Sequence, residues 1–250
     1  MKLLKQKILF LLYFRQTTSS QHNLKNEDTY ISYNFLYKLI LGVTDAAVRK
    51  AIGELCEKGD VDKITRNNQS YFRLTLLGAK QTKKLFTNFF YQAKPKKGWY
   101  LAVIKSGKKS RQTRIDLENI GFASICRGVY ICPAGEKLEA KISQLTANAY
   151  FFGCPKLSHI DEKSFVGKLY KLDKFVADTQ AVIRQINQLL TKIEDKISLK
   201  DKEIKQVSSV SDKMFILIRN TIGLPKNLLP NDWPLPEAAG LFSKIIKKVD

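Results

Sequence analysis

The side chains in this sequence that could do chemistry are mainly cations, and their placement favours a polyanionic partner. Lys and Arg exceed Asp and Glu by 20 over 250 residues. No Asp or Glu occurs from Lys63 through Ile115, and this basic window contains 14 cations: Lys63, Arg66, Arg73, Lys80, Lys83, Lys84, Lys94, Lys96, Lys97, Lys105, Lys108, Lys109, Arg111 and Arg114. Such a surface can neutralise nucleic-acid phosphates, a process driven by counterion release. The alternative interpretation is a solvated basic face.

Few side chains could hold a metal ion. Only His22 and His159 could join the cysteines as soft ligands, and no two cysteines form a CxxC pair: Cys56, Cys126, Cys132 and Cys154. We therefore expect reduced structural thiols, no metal site and no cofactor.

The N-terminal segment combines basic and apolar residues, as a signal peptide does. Its apolar run from Ile8 to Phe14 is short, and Arg15 follows it without a small-residue cleavage site. We predict a helix here instead. No stretch approaches the length of a transmembrane span, so we expect a cytoplasmic protein. A membrane-surface protein would need a basic amphipathic helix with a large apolar face, and the sequence offers no convincing one.

Two short helical segments are separated by a tight turn. The first, Ile31 to Leu41, is apolar-rich and ends at Gly42, which can take the left-handed conformation of a helix end. Thr44 then offers an N-cap hydroxyl, and apolar residues recur at helical spacing up to Gly59. This pattern predicts a helix-turn-helix. Its second helix would contact base edges with its exposed N-terminal half, which carries Thr44, Asp45, Ala46, Arg49 and Lys50.

A β-hairpin is predicted directly after these helices. Its strands would run from Val61 to Arg66 and from Ser70 to Thr75, with a polar turn at 67–69. We interpret it as the wing of a winged helix-turn-helix, suited to minor-groove or phosphate contacts, and Thr75 can cap the helix that follows. The candidate DNA contacts of this part are Arg66, Asn67, Asn68, Gln69, Arg73, Lys83 and Lys84. A generic small helical domain is the alternative.

The middle of the chain alternates strands and helices in a recognisable order. We predict strands at 99–105, 122–125, 127–132 and 149–153, and helices at 110–119 and 135–147. This β-α-β-β-α-β order is the ferredoxin-like arrangement.

Farther along, apolar residues from Phe165 to Ile197 alternate steps of four and three, with Thr179 the one polar member of the seam. The spacing predicts one helix about 50–60 Å long. The seam could pack against other helices of the same chain, including a helix at 214–222, or against a second copy.

These patterns predict an α+β, multidomain chain, and 44% hydrophobic residues suffice for a core in each domain. Residues 1–92 are expected to form a winged helix-turn-helix DNA-binding domain and residues 98–153 a ferredoxin-like domain. Residues 158–250 are expected to form a helical C-terminal domain that serves dimerisation or ligand binding.

Three blocks in order carry a resemblance to a known family. The first is 42–52 (GVTDAAVRKAI), with Gly59, Tyr71 and 74–78 (LTLLG). The second comprises 99–103 (WYLAV), 111–122 and 128–133 (GVYICP), and the third is 224–234 (LPKNLLPNDWP). Together they resemble the phenylacetate-type repressor family, PaaX. Leu235-Pro236 stands where that family has a glycine.

The resemblance implies a transcriptional repressor that forms a homodimer and binds double-stranded operator DNA through its winged domain. It also implies release of the DNA by a small-molecule inducer, which is an acyl-CoA thioester in the best-known branch. A two-fold dimer would bind an inverted-repeat operator.

The middle region is also similar to the small CRISPR-associated adaptation nuclease. In that family an Asp at the end of the first strand serves metal-dependent phosphodiester hydrolysis. Here 104–108 (IKSGK) contains no carboxylate, and the first acid after it is Asp116, inside the predicted helix. Since magnesium requires hard oxygen ligands, we expect no enzymatic activity. The alternative function is a metal-dependent nuclease or a structural subunit of a CRISPR adaptation complex, neither of which needs a recognition helix and wing.

Overall fold

The computed structural model describes residues 2–16, 29–90, 95–105, 107, 110–135, 138–193 and 199–248. The helices in these ranges are α1 (Lys2–Gln16), α2 (Tyr33–Lys38), α3 (Asp45–Glu57), α4 (Leu76–Leu85), α5 (Thr87–Phe90), α6 (Ser110–Asn119), α7 (Leu138–Ile142), α8 (Glu162–Leu169), α9 (Leu172–Ile193), α10 (Asp201–Arg219) and α11 (Leu235–Lys248). The strands are β1 (Ile31–Ser32), β2 (Val61–Arg66), β3 (Gln69–Leu74), β4 (Pro95–Ile104), β5 (Ala123–Cys126), β6 (Val129–Gly135) and β7 (Ala149–Cys154). The fold is α+β, with two small antiparallel sheets.

The chain groups into two compact units. Unit 1 comprises 1–87, 178–220 and 234–250, and unit 2 comprises 88–177 and 221–233. This grouping differs from three consecutive segments, because residues after 158 contribute to both units. No helix in the described part of the chain is long and apolar enough to cross a membrane.

Helix α1 lies at the centre of unit 1, and the last helix of the chain, α11, packs against it. Every residue from Ile8 to Phe14 is buried, as expected of a helix that is apolar all round. Helices α3, α4, α10 and α11 all pack against α1. Arg15 donates from Nη1 to the carbonyl oxygens of Ile246 (2.9 Å) and Lys247 (2.7 Å) at the end of α11. These bonds satisfy carbonyls that a helix terminus leaves without partners.

The small sheet of unit 1 has the order β1-β3-β2. The predicted hairpin is present, but its turn is shorter than the predicted 67–69. Only Asn67 and Asn68 form the turn, with φ of 47° and 59°, and Gln69 already pairs with Arg66. Two residues of positive φ make the tight turn that suits the twist of a β-hairpin.

The predicted helix from Ile31 to Leu41 is too long at both ends, since α2 begins at Tyr33 and ends at Lys38. Ile31 is fully buried and pairs with Phe72, so it belongs to β1 rather than to a helix. The Ser32 side chain then caps α2 by accepting a hydrogen bond from the Phe35 amide (3.3 Å). The turn after α2 contains Gly42 at φ 74°, the left-handed conformation predicted for it.

The sheet of unit 2 has the order β5-β6-β4-β7. Leu117 of α6 and Leu138 and Ile142 of α7 share one apolar core with Ala102 and Tyr130 of the sheet. The predicted helix at 135–147 is shorter in the structure, where α7 spans Leu138–Ile142. Gly135 belongs to β6. After α7, the amides of Leu145 and Asn148 donate to carbonyl oxygens three residues back, as in turns. Residues 136 and 137 lie outside the described ranges.

A second core of unit 2 contains the third block of the sequence resemblance. Leu224, Leu228 and Leu229 pack with Trp99 and Ile131 of the sheet. Trp233 stacks on Phe175, with ring centroids 4.9 Å apart. The double leucine and the tryptophan of 224–234 therefore have a structural role.

The predicted single helix from Phe165 to Ile197 is also wrong. The helix is interrupted between α8 and α9, where Lys171 has a φ of 54°. The buried stripe of α9 alternates steps of three and four: Thr179, Val182, Ile186, Leu189 and Ile193. Of the predicted seam, the chain itself buries Leu172, Thr179, Ile186 and Ile193, so the intrachain interpretation is confirmed for these four residues. Ile183 and Leu190 of the seam are only half-buried, and their neighbours Val182 and Leu189 are buried instead. Ile197 lies outside the described residues. The helix predicted at 214–222 forms the last part of α10 only as far as Arg219.

Candidate nucleic-acid interface

Helix α3 exposes one face of unit 1 because local signals fix where it starts and which side is buried. The Thr44 hydroxyl accepts a hydrogen bond from the Ala47 amide (3.4 Å), the N-cap that the sequence predicts. Val48, Ala51, Ile52 and Leu55 are buried at helical spacing. The opposite face carries the predicted contact residues, of which Thr44, Ala46, Arg49 and Lys50 are exposed and Asp45 is half-buried.

Three side chains at the start of α3 form a network that the sequence analysis missed. Arg49 donates from Nε to Asp45 Oδ2 (2.6 Å), and its Cζ lies 4.7 Å from the centre of the Tyr33 ring. The Tyr33 hydroxyl donates to Asp45 Oδ1 (2.7 Å). An acid followed four residues later by a base on a helix is a visible signal for the ion pair, whereas the contribution of Tyr33 from α2 depends on tertiary packing.

The network shifts the pKa of each of its three side chains. Hydrogen bonds from Arg49 and then from Tyr33 lower the pKa of Asp45, so the carboxylate is ionised at neutral pH. The hydrogen bond to Asp45 raises the pKa of Arg49. Burial, followed by the hydrogen bond to Asp45, raises the pKa of Tyr33 to about 12. At neutral pH the network therefore contains one carboxylate, one guanidinium and one neutral phenol.

The hairpin turn presents polar and basic side chains. Arg66, Asn67, Asn68 and Gln69 are all exposed. The Tyr71 hydroxyl donates to Gln69 Oε1 (3.1 Å). Amide and guanidinium groups at such a tip can donate hydrogen bonds to phosphate oxygens or to minor-groove acceptors.

Arg73 has a different setting from the other predicted contacts. It donates from Nε and Nη2 to Asp62 Oδ2 at 3.1 and 3.0 Å, across the hairpin from its register partner. Its Cζ also lies 4.7 Å from the centre of the Tyr30 ring, and the Tyr30 hydroxyl donates to the same carboxylate oxygen (3.1 Å). Arg73 thus fastens the hairpin to the segment before β1.

A groove of about 390 Å³ runs between α3 and the hairpin. It brings together three predicted contact residues, Arg49, Asn68 and Gln69. It also contains residues that the sequence analysis did not assign to the site: Ser32, Tyr33, Asn34, Ile52, Gly53, Cys56, Lys63, Ser70 and Phe72. Lys63 was visible only as a member of the basic window. Its position on β2 places a cation on the hairpin side of the groove, facing α3.

Lys83 and Lys84 are not among the residues that line this groove. They are exposed in the last turn of α4, which packs against α1 and β3. Of the other cations in the basic window, Lys94, Lys108 and Lys109 and the side chains of Lys96 and Lys97 lie outside the described part of the chain.

In unit 2 the residues considered for chemistry have structural partners. Lys105 donates from Nζ to the carbonyl oxygens of Thr146 (3.0 Å) and Ala147 (3.3 Å), and it lies 4.6 Å from the centre of the Tyr150 ring. Asp116 accepts a hydrogen bond from Gln112 (2.8 Å). Burial raises the pKa of the Cys132 thiol to about 12, which makes it a poor nucleophile. Within the described ranges, no three His, Cys, Asp or Glu residues form a group that could hold a metal ion.

Comparison with known proteins gives a likeness of fold. No protein-family model matches the chain, and no curated protein matches it. Among solved structures, the uncharacterized protein Rv0674 from Mycobacterium tuberculosis is similar, with a TM-score of 0.56 and 16% sequence identity. The match covers 98% of this chain and 97% of that protein. At this sequence identity the similarity indicates a shared fold and says nothing about the function of this chain.

Proposed function

We propose that this chain is a DNA-binding transcriptional regulator, a dimeric repressor of the PaaX type that reads an inverted-repeat operator. The groove between α3 and the hairpin carries the proposal. Its lining brings Arg49, from the exposed N-terminal half of α3, together with Asn68 and Gln69 of the hairpin. Lys50 on the same helix and Arg66 and Asn67 on the same hairpin are also exposed. A helix is the element that the major groove admits, and a basic hairpin beside it can contact the adjacent backbone.

The connectivity supports a winged helix-turn-helix in unit 1 and a ferredoxin-like domain in unit 2. In unit 1, β1 pairs with β3 and so ties the hairpin to the start of α2. In unit 2, the sheet order places the first and third strands of the domain at the centre, with β5 and β7 at the edges. This order matches the β-α-β-β-α-β arrangement. By the sequence resemblance, the proposal extends to a small-molecule inducer, with an acyl-CoA thioester as the first compound to test.

Selection of bound fragments from random DNA, followed by footprinting, tests the proposed function. We expect a recovered operator, and we expect Arg49→Ala with Lys50→Ala to abolish the preference for it while weaker, salt-sensitive binding remains. Loss of one bidentate base contact costs about 1–3 kcal/mol of discrimination. Competition binding between operator and random DNA measures the effect. If the double variant discriminates as well as the wild type, α3 is not the reading helix.

The phosphate contacts have a separate signature in the dependence of affinity on salt. We expect Arg66→Ala to reduce the slope of log affinity against log salt by about 1, and Lys83→Ala with Lys84→Ala to reduce it by about 2, since each lost phosphate contact releases one counterion fewer. Titrations over a range of salt concentrations give the slopes. Asp116→Asn, in unit 2, serves as the control and should leave the slope unchanged. An unchanged slope for the lysine pair would confine the interface to α3 and the hairpin.

A further inference from the structure

Arg49 is held from two sides, which is unusual for a surface arginine. Its Nε donates a hydrogen bond to Asp45, and its Cζ lies over the Tyr33 ring, 4.7 Å from the ring centre. The Tyr33 hydroxyl in turn holds the other oxygen of the Asp45 carboxylate. A lone ion pair between residues i and i+4 on a helix surface is weak, but here a third side chain, from α2, contacts the guanidinium and donates a hydrogen bond to the carboxylate that holds it.

The network leaves one edge of Arg49 for a ligand. Its side chain is 67% exposed, and among the described residues only Nε donates a hydrogen bond, so Nη1 and Nη2 remain available. These two nitrogens present parallel N–H groups that match the O6 and N7 acceptors of guanine in the major groove. A guanidinium that is already oriented loses less conformational entropy when it binds.

We propose that Arg49 reads a guanine in each half-site and that Asp45 and Tyr33 are positioning residues that aim its Nη1 and Nη2. The inference rests on the proposed function, because it requires α3 to enter the major groove. It assigns sequence selectivity to Arg49 of α3. It also gives two further side chains a role in base recognition, Tyr33 of α2, which lines the groove, and Asp45.

The charge of Asp45 supports this role. An ionised carboxylate on a surface that faces phosphates repels DNA of every sequence and therefore lowers non-specific affinity. Its presence there is explained if it increases selectivity. Removal of the charge should thus have two opposite effects, with tighter binding to random DNA and weaker discrimination between bases. A residue that only stabilised the helix would weaken both kinds of binding together.

The experiment uses the full-length protein and a selected operator in which each guanine is replaced in turn, either by 7-deazaguanine, which lacks the N7 acceptor, or by another base pair. We expect the wild type to prefer guanine at one position of each half-site by about 5- to 150-fold. Arg49→Lys keeps the charge but loses the paired donors, so this preference should fall to within about threefold while the salt slope stays the same.

The positioning residues are tested with conservative variants. Asp45→Asn should lower the guanine preference by a smaller factor than Arg49→Lys does, and it should strengthen binding to random DNA. Tyr33→Phe keeps the ring under the guanidinium and loses only the hydroxyl, so it should lower the preference less than Asp45→Asn does. Arg184→Lys, at an exposed position of α9 that is not among the residues lining the groove, is the control and should leave the preference unchanged. Circular dichroism and thermal melting establish that each variant is folded.

The outcomes separate this inference from the proposed function. Recovery of no preferred sequence would overturn the proposed function and the inference with it. A preferred sequence whose guanines are bound equally well by Arg49→Lys and by the wild type would overturn the inference alone. Asp45→Asn binding that weakens equally on operator and random DNA would show that Asp45 is structural and would overturn its positioning role.

Discussion

Replacing Gly78 with alanine should destabilise unit 1 by about 3 kcal/mol, the upper part of the range for a side chain forced into a packed site. A Cβ at position 78 would overlap the Asp60 carbonyl oxygen, lie 2.8 Å from its carbon and lie 3.1 Å from Leu74 Cδ2. The obstacle is backbone, which cannot rotate away. The same carbonyl accepts the Thr75 amide (3.1 Å), so a shift would also disturb the end of β3 and the cap of α4.

Thermal and urea unfolding of the purified variants measure this effect, with a midpoint expected about 6–12 °C below that of the wild type. Gly240→Ala is the matched control. Gly240 is also a helical glycine of unit 1, in α11, but a Cβ there meets nothing within 4 Å. Since alanine is favoured over glycine in a helix by up to about 1 kcal/mol, this control should be slightly stabilising. Equal midpoints for Gly78→Ala and the wild type would mean that α4 does not approach Asp60 as closely as described.

Features that depend on a few neighbouring residues could be predicted from the sequence. The hydroxyls of Thr44 and Thr75 accept amide hydrogen bonds three residues ahead, as the cap pattern predicts. Gly42 has positive φ, and α6 has the predicted bounds, Ser110–Asn119. In each of these cases the decisive interaction lies within about one turn of the chain.

Features fixed by distant partners were missed. Ile31 pairs with Phe72, 41 positions away along the chain, and nothing near Ile31 distinguishes this strand from the start of an apolar helix. The break at Lys171 was hidden because the apolar spacing continues in phase from α8 to α9. A seam alone does not reveal whether one helix or two carry it.

The setting of Arg73 shows how one residue of turn length changes a predicted site. A two-residue turn at Asn67 and Asn68 places Asp62 directly opposite Arg73. The predicted three-residue turn shifts the register by one residue and separates them, because a slip of one moves side chains to the other face. The sequence therefore does not predict the ion pair between Asp62 and Arg73, and it suggests Arg73 as a phosphate contact.

The Tyr33–Asp45–Arg49 network was only half accessible from the sequence. The acid and base spacing of Asp45 and Arg49 can be found on any helical projection. The tyrosine depends on the angle between α2 and α3, which the positive φ of Gly42 and the cap at Thr44 set together. Of the residues that line the groove, Arg49, Asn68 and Gln69 were predicted as contacts, whereas the other nine, Tyr33 and Lys63 among them, and the contacts of the network required the structure.

Inserting five base pairs between the half-sites of the operator should weaken binding by about 10²- to 10⁴-fold, the range by which two linked contacts exceed one. One winged domain reads only a few base pairs and seldom gives genome-level selectivity alone. A two-fold dimer supplies two copies and requires half-sites about one helical turn apart, roughly 34–36 Å, or a multiple of it. Five base pairs rotate one half-site by about half a turn, so that only one domain can engage.

Gel-shift titrations with the spaced and the original operators measure this loss. The same five base pairs inserted outside the two half-sites control for length and composition, and they should leave affinity unchanged. Light scattering should show a dimer at the concentration of the assay. A monomer in solution, together with footprints that lack two-fold symmetry and do not respond to the central insertion, would contradict the dimer. Such a result would leave the reading role of α3 in place, because the Arg49 variants test discrimination between bases and not the two-fold symmetry of the site.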